Sequence, residues 1–88
     1  MTRGQAYSLL TALACGGSIH EILDGVKNRF PDEFESANKF LHLYDKYHDA
    51  KNYRHGNTFI DVEAYKKALF MTQNASRREI EKALGHPL

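Results

Sequence analysis

Three segments of this chain spell out helix starts: Thr2-Arg3-Gly4-Gln5, Ser18-Ile19-His20-Glu21 and Ser76-Arg77-Arg78-Glu79. In each, a hydroxyl residue stands three positions before a Glu or Gln. The hydroxyl accepts from the backbone N–H three residues on, and the Glu or Gln reaches back to the first residue's own N–H. Two donors that a helix end would otherwise leave unpaired are thereby satisfied. The stops agree with the starts. Gly16-Gly17 closes the first helix, Pro31 follows the second, and Gly85-His86-Pro87 closes the last. A chain punctuated in this way is constrained to pack helices against one another.

Apolar spacing fills in the segments between those marks. The first helix is predicted from about Arg3 to Ala14, with Ala6, Leu9, Leu10 and Leu13 on one side. In the second, Ile19, Ile22, Leu23, Val26 and Phe30 fall in one narrow stripe at helical spacing. The third is predicted from near Asp32 to about Asp49. Its apolar set (Phe34, Ala37, Phe40, Leu41, Leu43, Tyr44, Tyr47, with His48) is wider than one neighbour requires. That width marks a central helix packed on several sides, or a face through which two copies of the chain form a homodimer. Asn52 to Asn57 does not read as helix, and Tyr53 to Ile60 fits a short hairpin turning at His55-Gly56-Asn57, or a plain loop. A fourth helix from about Asp61 turns Val62, Tyr65, Ala68, Leu69 and Thr72 inward, and a fifth from Arg77 to Leu84 packs Ile80, Ala83 and Leu84. The predicted fold is all-α: a compact bundle of about five helices in one domain spanning 1–88, with at most one small β-hairpin near residues 52–60.

Composition narrows the function classes. With 88 residues, 42% apolar and 26% charged, the chain is an ordinary globular sequence with room for one core. No apolar run is long enough to span a membrane. The single cysteine, Cys15, has no internal partner, which suits a reducing compartment; a cytoplasmic location is expected. Net charge is +1 but unevenly spread: residues 32–49 carry two basic and five acidic groups, and residues 50–88 seven basic and four acidic. A mildly basic C-terminal half weakly favours an anionic partner.

Five histidines call for a test of metal and acid–base chemistry. His42, Asp45 and Asp49 share a face of the third helix at spacings of three and four, beside Asn38. Lys39 and Lys46 adjoin that face, and a solvated polar face is the better account. His20-Glu21-Ile22-Leu23-Asp24 begins like the zinc-protease helix motif but carries Asp24 where the second histidine is needed. No glycine-rich turn presents a serine nucleophile, and Gly16-Gly17 is not followed by the Lys-Ser/Thr of a phosphate loop. No catalytic residue, metal, cofactor or small-molecule substrate is therefore expected, and the chain is read as a non-enzyme.

Two binding readings remain. The order of elements resembles a winged helix-turn-helix, with the third helix as recognition helix and Tyr53 to Ile60 as the wing, so a DNA-binding transcriptional regulator is the alternative. The chemistry fits that poorly, because Asp32, Glu33 and Glu35 stand where base-reading Arg, Lys, Asn or Gln are needed. The leading expectation is a small regulatory, adaptor or inhibitor module that binds a protein partner. Its expected contact residues are Tyr53, Arg54 and His55 in the loop and Arg77, Arg78 and Lys82 on the last helix. Tyr and Arg dominate many interfaces, and Arg78 and Lys82 are like-charged neighbours one turn apart.

Overall fold

Thr2, Ser18 and Ser76 each cap a helix in the computed structural model, which describes residues 1–49, 53–54 and 57–88, with side chains described for 1–49 and 60–88. The reciprocal box is complete at the first helix, α1 (Arg3–Ala14). There the Gln5 N–H donates to Thr2 Oγ1 at 3.1 Å and the Thr2 N–H donates to Gln5 Oε1 at 2.7 Å. At α2 (Ile19–Arg29) the Glu21 N–H donates to Ser18 Oγ at 3.1 Å. At α5 (Arg77–Leu84) the Glu79 N–H donates to Ser76 Oγ, and the Glu79 carboxylate takes the Ser76 hydroxyl at 3.1 Å rather than the Ser76 backbone. The stop after α1 is a full Schellman motif. Gly16, at φ +96°, donates to the Leu13 carbonyl, and Gly17 donates to that of Ala12. Only glycine takes that φ without strain.

Between α2 and the central helix the chain departs from the expected stripe. A residue before proline is driven out of the helical region by the proline ring. Phe30, at φ −136° and ψ 66°, leaves the helix before Pro31, so its ring is 62% exposed instead of completing the α2 stripe. Pro31–Glu33 forms a 3-10 turn, and α3 (Phe34–Tyr47) begins two residues later than the sequence suggests.

The helix α3 is the centre of the bundle. It touches α1, α2, α5 and α4 (Val62–Asn74), and buries Ala37, Phe40, Leu41, Leu43 and Tyr44. Its wide apolar face is thus filled from within the chain. Around it lie Ala6 and Leu10 of α1, Leu23 of α2, Ala64, Ala68 and Leu69 of α4, and Ile80 and Leu84 of α5, in one hydrophobic cluster. Ala6, Ala37, Ala64 and Ala68 are small enough to let helix backbones approach closely.

The strand β1 (Tyr53–Arg54) pairs antiparallel with β2 (Asn57–Asp61), Arg54 opposite Asn57 and Tyr53 opposite Asp61, with a register shift between the pairs. The expected turn residues His55 and Gly56 lie outside the described residues. Asp61 ends β2 and caps α4, and it is fully buried: Oδ1 accepts the Ala64 N–H at 3.1 Å and Oδ2 the Asp49 N–H at 2.6 Å. Its own N–H donates to the buried Tyr44 hydroxyl at 3.0 Å. The Asp49 bond also explains why α3 stops at Tyr47 and not at Asp49, because the chain turns away to meet that carboxylate. Among the described residues no helix is long and apolar enough to cross a membrane.

Candidate functional site

The residues expected to bind a partner are not gathered at one place by what is described. Tyr53 and Arg54 lie on β1, where side chains are not described, and His55 is outside the described residues. Arg77 is already engaged: Nη1 lies 3.6 Å from Glu35 Oε1, and Nη2 donates to the Leu88 carbonyl at 3.2 Å. It braces α5 against α3 and the last residues. Arg78 and Lys82 are exposed on α5 and form no ion pair among the described residues.

The polar face of α3 is likewise used internally. His42 Nδ1 donates to the Asn38 carbonyl at 2.8 Å and its ring meets His86 edge to face. Asp49 lies beyond the helix end. Among the described residues, no three His, Cys, Asp or Glu side chains are grouped to hold a metal ion. His48 is exposed and stacks on Tyr44, while Cys15 is exposed at the end of α1 and not packed between helices. Lys39, which adjoins the polar face of α3, has a side chain only 16% exposed and lies 3.8 Å from Glu35.

What stands out is the surface around the first turns of α1. The large apolar side chains left exposed among the described residues are Tyr7, Phe30 and Phe70, at 41%, 62% and 67%. Each lies beside or on one of two grooves that flank α1. The first, of about 370 Å³ between α1 and α4, is lined by Arg3, Tyr65, Lys66, Leu69, Phe70 and Gln73. The second, of about 570 Å³, lies between α1, the end of α2 and the start of α3, with Met1, Leu9, Val26, Phe30 and Ala37 in its apolar wall and Glu33 its charged member. Gln73 Nε2 donates to the Met1 carbonyl at 3.0 Å, tying α4 to the residue that lines the second groove.

The α1/α4 groove is built on the core. Phe40, fully buried, meets Tyr65 edge to face at 6.2 Å, and Tyr65 meets Tyr7 in the same way at 6.2 Å. Three rings thus run from the centre of the bundle to its surface, which holds the outer ones in position. Each helix contributes a cation one turn ahead of an aromatic, Arg3 before Tyr7 and Lys66 before Phe70. Sequence reasoning missed this surface, although a signal for it exists. Tyr7 and Phe70 are the aromatics that the inward sets of their own helices leave over.

Exposed aromatics on a concave support are what a binding surface offers. No protein-family model matches the chain, and comparison with curated proteins and with solved structures finds no significant match.

Proposed function

We propose that this chain is a small non-enzymatic adaptor or regulatory module, acting in the cytoplasm, that binds a protein partner through the α1-centred surface. The observation that carries the reading is the exposure of Phe70 on a groove and of Tyr7 beside it, packed on Tyr65, which lines the groove and rests on the buried Phe40. Pre-positioned aromatics lose little conformational freedom on binding, so their burial converts efficiently into affinity. The reducing cytoplasm suits a chain whose single thiol, Cys15, is exposed and free.

The test is purification of the tagged chain from its native cell. Wild type is expected to carry a protein partner in stoichiometric amount. Tyr7→Ala/Phe70→Ala is expected to weaken that complex at least about a hundredfold, since two anchor side chains of about 2 kcal/mol each are removed. Helical circular dichroism should be unchanged, because both rings are exposed. Tyr53→Ala/Arg54→Ala and Arg78→Ala/Lys82→Ala should retain the partner. If either of those abolishes binding and the aromatic pair does not, the contact lies on the hairpin or α5. Co-purifying nucleic acid without a protein would favour the DNA-binding alternative.

A further inference from the structure

We infer that the α1/α4 groove takes an acidic segment of the partner, one that inserts a bulky apolar side chain and sets carboxylates against the rim. This rests on the binding function proposed above and specifies the chemistry of the occupant. The floor is Tyr65 and Leu69, with Phe70 at its edge, so it favours an apolar anchor. The charged lining is Arg3 and Lys66 alone, and no carboxylate lines the groove. Both cations are exposed, and neither forms an ion pair among the described residues. Four basic side chains elsewhere on the surface are already occupied, while Arg78 and Lys82 of α5 form no ion pair among the described residues. Arg77 and Lys39 meet Glu35, Lys67 sits 4.0 Å over the Tyr47 ring, and Lys27 lies over Phe34. The first turn of α1 also has no acidic residue to offset the positive end of its dipole, so the potential at Arg3 is reinforced.

A protein segment suits this site better than a phosphate polymer. Duplex binding depends on neutralising many phosphates, whereas this groove supplies two cations around an apolar floor. Apolar anchor and carboxylate together match both halves of the lining, and complementary rim charge chiefly sets specificity and association rate.

Selection of a random peptide library against the full chain tests this without knowledge of the partner. Enriched peptides are expected to combine Phe, Leu or Met with Asp and Glu and to be poor in Lys and Arg. Their affinity should fall at least about tenfold in Arg3→Glu/Lys66→Glu, because attraction is lost and like-charge repulsion gained at two positions. That variant should instead bind basic counterparts of the same peptides. Both positions are exposed, so circular dichroism should stay that of wild type. Enriched peptides without acidic bias, equal binding by the reversed variant, or no enrichment would each overturn the inference. Duplex DNA or anionic vesicles bound in place of acidic peptides, and released by the same reversal, would overturn it in favour of a phosphate ligand. If the native partner is lost in Tyr7→Ala/Phe70→Ala but retained in the charge reversal, the binding surface stands and the acidic occupant does not.

Discussion

Phe40→Ala is expected to cost about 3–5 kcal/mol, the range for deleting a buried aromatic from a packed core. The ring sits on the central helix with no exposed surface, and Tyr65 rests on it edge to face. An 88-residue chain has a total stability on the order of 4–13 kcal/mol, at about 0.05–0.15 kcal/mol per residue. The variant should therefore lose about a quarter or more of the total, with its urea midpoint lowered in proportion. Phe40→Leu keeps most of the volume and should cost less than about 1.5 kcal/mol. A loss under about 1 kcal/mol for the alanine variant would mean that α3 is not the centre of the bundle. The substitution also removes the support under Tyr65 and Tyr7, so any binding that survives should be weaker than in wild type.

Asp61→Ala should be the most damaging polar change, at about 2–4 kcal/mol. It removes the cap of α4, worth roughly 1 kcal/mol, and strips the acceptor from the Asp49 N–H that anchors the end of α3. A fully buried carboxylate that joins three elements cannot be replaced by a methyl group without leaving donors unpaired. Asp61→Asn retains one acceptor oxygen and should lose less. Asp45→Ala, on the exposed side of α3, should stay within about 0.5 kcal/mol. Chemical denaturation of the three variants checks the order, and a neutral Asp61→Ala would contradict the role assigned to that side chain.

Much of this fold is legible in the chain because its helices are signed locally. Thr2, Ser18, Ser76, Gly16 and Gly85 act within one turn of their own position, so their effect survives any tertiary arrangement. The central place of the third helix is legible for a related reason, since its apolar residues cover more of the circumference than one neighbour can bury. Where the reading fails, the cause is a force from outside the helix. Pro31 turns Phe30 out of the α2 stripe, and Asp61, 12 residues downstream, ends α3 early by capturing the Asp49 N–H. The proposed binding surface is harder still. Arg3 and Lys66, or Met1 and Gln73, become neighbours only once α1 packs on α4. Periodicity says which side chains turn inward, but not which of the remainder meet on the outside. Tyr7 and Phe70 are visible as leftovers, yet their placing on and beside one groove depends on the packing of two helices distant in sequence.

Site-specific photo-crosslinking in the native cell tests the central claim most directly. A benzophenone side chain placed at Tyr7 or at Phe70 should capture one discrete protein, because both positions are exposed beside the groove and tolerate a large ring. The same group at Arg78 or Lys82 should capture none. Capture from α5 alone, or from none of the four positions, would contradict the assignment of the α1-centred surface as the place where this chain meets its partner.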